Sequence, residues 1–505
     1  MSFVRGHSRV VAAGLCLLFL LLPFWPSFES GGGFMDEGTL LVYPELVRHG
    51  VLPYRDFETF YGPANPFLLA GVYSLFGPRL EVERAVGLLY RVLALAALFA
   101  LASRYGNALG VAAVLLAALP LLSTALVAYA WLGGMAAALW GFFLATSSPA
   151  SPRKIFFAGI LASLAILFRL DLAPAVFLGS LPSLISFPRK GKTQFIAGAA
   201  IGLLPLVVLC TVVGWHELYN NLFFFPVVRS SAGRHLPFLS VAKNLYPLFF
   251  LHLAALFTCL AVGVFRWRSD RARIVPLLSI ALFGLGVTHQ AYQRLDEFHL
   301  FMVVFVSLAA LPITLAFILS GLGRTFAPAA IACAVTLTAV AAPFLFRSSF
   351  FWLRVALSGQ PRGIAFVEQN GRSFPVGSLA LARTLGALLD ALDRRSHLGE
   401  RLFVGPADLR RTNYGDTFIY YLMMPKLIPA SYFLEMNPLS ANRPGSRLAS
   451  DLRTADWLIL DRTWDETTEP NRSQDYGSDQ PNNVVREEFE QVRATGPYLL
   501  LHRRQ

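Results

Sequence analysis

Charge is scarce in this chain. Only 15% of its 505 residues are Asp, Glu, Lys or Arg, against roughly 25% in a soluble domain. That shortage, with 55% hydrophobic residues and a mean hydropathy of +0.54, excludes an ordinary globular protein. Cysteine is equally sparse. Cys16, Cys210, Cys259 and Cys333 all fall inside apolar runs, and no pair has the spacing of a metal site or a disulfide framework. They read as small hydrophobes. There is no P-loop, no Gly-x-Gly-x-x-Gly after a strand and no His/Cys metal set. No internal repeat pairs one half with the other, as transporter halves tend to be paired. The first apolar run ends in Pro23-Phe24-Trp25-Pro26 without a small-residue cleavage site, so an uncleaved span is expected rather than a signal peptide.

What is present is a series of apolar runs near 20 residues long, the length of a membrane-crossing helix. Hydropathy places about eleven, at 10–27, 84–103, 107–126, 131–147, 155–171, 172–187, 195–214, 245–265, 274–291, 298–320 and 326–346. Pro66 to Gly77 is apolar but too short to cross, and suits a helix lying along the membrane. The net charge of +12 is not that of a nucleic-acid binder, because the basic residues sit in short loops between the runs. Arg5, Arg9, Arg104, Arg153, Lys154, Arg189, Lys190, Lys192, Arg266, Arg268, Arg271, Arg273 and Arg324 collect on one side. Asp36, Glu37, Glu45, Asp56, Glu58, Asp171, Glu217, Asp296 and Glu297 collect on the other. The positive-inside rule then makes the N-terminus cytoplasmic and the acidic loops and the tail extracytoplasmic.

The tail changes character. Leu379 to Arg395 has helical periodicity, and Arg401 to Gly405, Asp456 to Leu460 and Tyr498 to Leu501 read as strands. Thr463 to Asn483 reads as a long exposed loop. The expected fold is therefore an α-helical polytopic membrane protein with a small α/β domain at its C-terminus. The membrane region is expected over 1–349, with its first outward loop at 28–83 carrying the chemistry, and the soluble domain over 350–505.

That first loop is acidic, aromatic and rich in turns: Asp36-Glu37, Tyr43, Gly50, Pro53-Tyr54-Arg55-Asp56, Phe60 and Tyr61-Gly62-Pro63. Ser30-Gly31-Gly32-Gly33 before it reads as a flexible entry. An acidic pair alone more often favours a helix N-terminus than catalyses. A loop with Asp-Glu, then Gly-x-x-Pro-Tyr-Arg-Asp, then Tyr-Gly-Pro before the second span resembles the GT-C glycosyltransferases. These polytopic enzymes include the protein O-mannosyltransferases, the lipid A aminoarabinose transferases and a bacterial branch typified by rhizobial lipopolysaccharide transferases. The resemblance covers roughly the first two-thirds of the chain.

The resemblance implies a sugar donor on a polyprenyl phosphate and a glycan, lipid or protein acceptor on the non-cytoplasmic face of the plasma (inner) membrane. It implies that Asp36 is the catalytic aspartate and Glu37 its companion, orienting it or binding acceptor hydroxyls. Tyr54, Arg55, Asp56 and Tyr61 are then acceptor-binding or supporting residues. A carboxylate that takes the hydroxyl proton is typically worth about 10²–10⁴-fold, and direct attack inverts the sugar carbon.

The leaving phosphate needs cations. His289, Gln290, Arg294, Asp296 and His299 lie between two late spans. Arg can fork onto phosphate and His can donate a bond or a proton. If that segment is helical, Asp296 and His299 share a face and Arg294 does not. Arg91, deep in the second span, is a candidate by its position, paired with Glu83 or Asp171 or reaching the phosphate. Arg84 reads as interfacial. Arg169 and Asp171, two apart on a helix, should not meet; Asp171 is a second acid of the site or half of a structural pair. No cofactor is obligatory, although carboxylates suit a hard divalent cation. Two rival readings are a flippase or transporter for lipid-linked sugars and a non-catalytic envelope scaffold.

Overall fold

A computed structural model of the chain describes residues 14, 21–147, 151–238, 242–320, 326–358, 364–412 and 414–504. Of the first expected span, 10–27, only residue 14 and residues 21–27 are among the described residues, and Arg5, Arg9 and Arg324 lie outside them. Two compact units make up the chain, each assembled from three stretches. Met1–Phe28, Gly87–Val208 and Phe238–Gln360 form the first, and Glu29–Val86, Leu209–Pro237 and Pro361–Gln505 form the second.

The first unit is helical. Among the described residues five helices are long and apolar enough to cross a membrane: Leu80–Tyr105, Arg189–Val213, Lys243–Arg266, Arg271–Gln293 and Glu297–Ser320. A sixth is reached if Ala327–Ala341 and Pro343–Ser358, bent by 98°, form one span. Shorter apolar helices occupy several of the other expected runs. Asn107–Leu122 and Ala130–Ala145 have 16 residues each. At 1.5 Å per residue they rise roughly 24 Å, less than the ~30 Å of hydrocarbon. They are apolar on every side because most of each is packed against other helices.

Small residues let some of these helices touch backbone to backbone. A Cβ on Gly159 would lie 2.1 Å from the Phe195 carbonyl oxygen, and one on Gly198 would lie 2.0 Å from that of Phe156. Ser163 Oγ donates to the Ala199 carbonyl at 2.7 Å across the same contact. His252 is buried between three helices, its ring nitrogens 2.8 Å from Ser307 Oγ and 2.9 Å from Thr288 Oγ1. It is a satisfied core histidine.

The second unit carries the sheet. Strands β1 (Ala365–Gln369) and β2 (Arg372–Val376) form an antiparallel hairpin. Asn370 and Gly371 turn it with φ of 51° and 72°, the left-handed pair that a two-residue hairpin requires. β3 (Arg401–Pro406), β4 (Ile428–Pro429), β5 (Trp457–Asp461), β6 (Phe489–Thr495) and β7 (Tyr498–Arg503) form a second sheet in the order β4-β3-β5-β7-β6. The first three are parallel, and β7 and β6 complete the sheet antiparallel. Helix Leu379–Arg395, capped by Ser378 Oγ on the Leu381 N–H, lies over β1 with Leu385, Leu388, Leu389 and Leu392 buried. The acidic loop contributes helices Asp36–Arg48 and Ala64–Phe76 to this same unit. Leu41, Val42 and Leu46 share one apolar core with Phe374, Phe418 and Leu422.

Replacing Gly159 by Ala should lower the unfolding midpoint of the purified protein by the equivalent of about 1–3 kcal/mol, since the backbone opposite cannot retreat. Gly71→Ala, with open space around its Cβ, should leave it level or raise it slightly. Thermal unfolding in detergent compares the two.

Candidate active site

The Asp36–Arg48 helix is fixed at both ends by charge. Glu37 is fully buried, and Arg84 meets it with two bonds, Nε to Oε1 at 2.6 Å and Nη2 to Oε2 at 2.9 Å. At the other end Arg372 of β2 forks onto Glu45 with two bonds of 2.7 Å. Arg84 is therefore not interfacial, as its place at the end of an apolar run suggested; it is fully buried as the counter-ion of Glu37. Glu37, with both oxygens held, is a structural anchor rather than a free partner for acceptor hydroxyls. The glycine run ahead of the helix is also more than a flexible entry. A Cβ on Gly32 would lie 1.5 Å from Glu37 Oε2, so only glycine lets the chain pass that carboxylate.

Asp36 opens the helix. The Glu37 N–H donates to the Gly33 carbonyl at 3.0 Å and Thr39 Oγ1 donates to the Asp36 carbonyl at 2.8 Å, which closes the first turn around it. A carboxylate there faces the positive end of the helix dipole. Its electrostatic neighbours include Glu435, on which it acts directly.

Behind Asp36 lies a polar cluster that the sequence did not single out. Tyr43 Oη is 2.9 Å from Glu435 Oε1 and 3.1 Å from the Glu58 carbonyl oxygen. Asn437 Nδ2 donates to Glu58 Oε2 at 3.3 Å and to Glu435 Oε2 at 3.0 Å, and Ser440 Oγ donates to Glu58 Oε1. Glu58, Glu435, Asn437 and Ser440 are all buried. Burial, aided by repulsion from Glu435, pushes the Glu58 carboxyl up to about 7. Burial likewise raises Glu435. Arg443 acts on Glu58, and Arg234 on Glu435. The backbone around the cluster is strained, with Tyr54, Tyr414, Met436 and Leu439 at φ of 71°, 72°, 52° and 63°. Non-glycine residues held so are found where the surroundings over-determine them. The sequence offered one signal, Glu58 among the loop acids, and nothing that tied it to residues more than 370 positions away.

The remaining loop candidates take supporting places. Buried Tyr54 donates through Oη to the Tyr61 carbonyl at 2.8 Å, and its own carbonyl accepts from Tyr432 Oη at 2.8 Å and from Asn221 Nδ2 at 3.3 Å. Arg55 and Asp56 pair with each other at the surface, and Asp56 also accepts from the Leu52 N–H. They shape a turn.

In the first unit two of the cationic candidates, Arg169 and His289, stand against Trp131. The Arg169 guanidinium lies 5.3 Å over its ring, His289 stands edge-on at 6.4 Å, and the indole N–H donates to the Met302 carbonyl at 2.9 Å. Arg169 and Asp171 do meet, Nε to Oδ1 at 3.0 Å. They can because the helix ends at Phe168 and Arg169 is extended, with φ −150° and ψ 115°. Gln290 donates to the same carboxylate. Arg294 repeats the device. Its backbone is extended just past Gln293, so Nε reaches Asp296 Oδ2 at 2.9 Å, while the His299 N–H and Nδ1 both lie 2.8 Å from Oδ1. Burial works against the Asp296 charge, but the bonds from His299 and the nearby Arg294 hold it below the usual carboxylate range. Arg294 thus shares a carboxylate with His299, contrary to the helical expectation. Arg91 is fully buried, and its guanidinium donates to the carbonyls of Gly87, Val127 and Ala125 and to Thr124 Oγ1. It fastens the 124–127 turn. Among the described residues no three His, Cys, Asp or Glu side chains are grouped to hold a metal ion.

No protein-family model and no curated sequence matches the chain. Solved structures do. The crystal structure of ArnT from Cupriavidus metallidurans bound to undecaprenyl phosphate superposes with a TM-score of 0.55 at 12% identity, over 97% of each chain. ArnT in the apo state gives 0.52, again at 12% identity, over 97% of this chain and 98% of the other. At that identity the likeness is one of fold, and it runs nearly end to end. The fold, a helical unit with a sheet-bearing C-terminal part, is the one those two ArnT structures have.

Two outcomes follow from the buried charges. Arg84→Ala, which leaves Glu37 buried without its counter-ion, should cost about 3–5 kcal/mol, and the double variant Glu37→Gln/Arg84→Met clearly less; yields of folded protein and unfolding midpoints report the difference. Glu58 has its ordinary value of 4.5 raised to about 7 on folding, so the folded state binds the extra proton. Stability should fall as pH rises from about 4.5 to about 7, on the order of 3 kcal/mol for this group. Glu58→Gln should remove that slope.

Proposed function

We propose that the protein is an integral membrane glycosyltransferase that moves a hexose or pentose from a polyprenyl-phosphate donor to a hydroxyl of a glycan, lipid or protein. The observation that carries this reading is the fold shared along 97% of both chains with ArnT, whose crystal structure holds undecaprenyl phosphate. A lipid phosphate of that kind is what a sugar donor leaves behind. In this reading the N-terminus is cytoplasmic, and the acidic loop and the tail work on the non-cytoplasmic side, a choice supported by the placement of basic residues.

Asp36 is the general base. It takes the acceptor hydroxyl proton as the oxygen attacks the anomeric carbon, the carbon–phosphate oxygen bond breaks, and the configuration inverts. Glu37 supports it by anchoring the helix to Arg84. Arg294, His299 and His289 hold the departing phosphate, and Arg169 joins them because it stands against Trp131 as His289 does. Arg91 acts through the turn it fastens. Tyr54, Tyr61, Arg55 and Asp56 support the acceptor side, and Asp171 orients Arg169. No divalent cation is written into the reaction.

Asp36→Asn should lower the transfer rate by about 10²–10⁴-fold while leaving the unfolding midpoint within the error of wild type. Envelope glycans from cells carrying equal amounts of either protein are the measurement. Loss of one sugar, with its lipid-linked donor accumulating on the outer leaflet, is the expected result. Donor stranded on the inner leaflet would instead mark a flippase, and unchanged glycans a scaffold.

A further inference from the structure

We infer that the helix Pro343–Ser358 lies flat in the headgroup layer of the membrane, a docking surface whose exposed arginines, Arg347 and Arg354, take the phosphates of anionic lipids. The inference goes beyond the transfer reaction and needs only the membrane fold.

The break before this helix is written in the sequence. Ala327–Ala341 carries no charge, and Pro343 follows it after one residue. Proline has no N–H to give the carbonyl one turn back, and it disfavours a helical residue in front of it. Ala342 accordingly leaves the helix, with φ −146° and ψ 64°. The chain restarts at Pro343 bent by 98°. An uncharged helix followed by a right-angle turn is a chain that reaches a face of the bilayer and then runs along it.

The side chains agree with that course. At about 100° per residue, Arg347, Phe350, Phe351, Arg354, Leu357 and Ser358 fall on one face, and all of them are exposed. Phe350 is 68%, Phe351 54% and Leu357 72% exposed. Leu345, on the other side, is buried, and Phe344 at the helix start stacks on Phe301 at 5.8 Å. Among the described residues neither Arg347 nor Arg354 is paired with a carboxylate.

That face suits one environment. In water, Phe350, Phe351 and Leu357 would form a bare apolar patch. In hydrocarbon, two guanidinium groups would be stranded at a cost that membrane segments rarely bear. The headgroup layer takes both: the rings and Leu357 reach into the acyl boundary, and the arginines reach up to phosphate, onto which a guanidinium forks. Arg347 and Arg354 are seven residues apart, roughly 10 Å along the axis, so each meets a different headgroup. The two bent helices are therefore not one span. The second unit resumes at Pro361, so the tail departs from a helix already at the membrane surface.

Depth and charge are tested separately. A fluorescent amino acid placed in the full chain instead of Phe346, Phe350 or Leu357 marks three points on one stripe of the helix. In mixed vesicles of phosphatidylcholine and phosphatidylglycerol, quenching by lipids that carry nitroxides at graded depths should put all three at one level, near the headgroups. Depths that climb from label to label, over roughly 16 Å between the first and the last, would make the helix a span and overturn the inference. Quenching by a water-soluble nitroxide alone would also overturn it and leave the face to a protein partner. For the charge, native mass spectrometry of protein extracted from the same vesicles counts the retained lipids. Arg347→Gln/Arg354→Gln should lower the preference for phosphatidylglycerol over phosphatidylcholine by about fivefold per arginine. Arg394→Gln/Arg493→Gln, which removes the same charge from exposed sites on the tail, should leave it unchanged. An equal loss in both pairs, or a loss in neither, overturns the assignment of lipid phosphate to Arg347 and Arg354.

Discussion

A charge pair from which water is excluded governs the acidic loop. Neither Glu37 nor Arg84 has any exposed surface, so each is stable only because the other is there. The pairing fixes the rotation of the Asp36–Arg48 helix about its axis, because Glu37 must point inward. Asp36, its neighbour in sequence, is then turned by about 100° per residue away from that direction. The glycine at position 32 belongs to the same constraint, for the chain has to pass over the Glu37 carboxylate without a side chain. What looked in sequence like two catalytic carboxylates is one candidate base and one anchor.

The cationic cluster depends on a different device, the interrupted helix. A regular helix holds residues i and i+2 on different faces. Arg169–Asp171 and Arg294–Asp296 escape that rule because each arginine is extended and stands just past the end of its helix. Side chains two apart then fold toward each other and leave half-buried cations at the helix ends. A stretch of charge at the boundary of an apolar run is therefore better read as an end than as a continuation.

Much of the architecture was legible. The tail helix Leu379–Arg395 and three of the tail's strands stand where periodicity put them, within a residue or two. The β1–β2 hairpin was missed although Asn370-Gly371 is a strong turn signal, because its strands are short and mixed in character. The number of crossing helices was hard to read for a physical reason: buried short helices and spanning ones are equally apolar. Of the candidate site, Asp36 and the Arg294–His299 group were singled out by context alone. Glu435, Asn437 and Ser440 did not, since an acid in a polar tail looks solvated until the fold buries it. Arg84 was misjudged for the opposite reason, its partner being 47 positions upstream.

The acidic cluster is built from both ends of the chain, residues 36–61 on one side and 432–440 on the other, within a single compact unit. The tail is consequently no detachable module. A chimera that grafts a relative's C-terminal third onto this membrane region would mismatch Tyr43 with a foreign wall, and a truncated form would open Glu58 to water. Evolution of this part is tied to the first loop, so the two stretches are expected to change together and to travel together when proteins of this fold recombine.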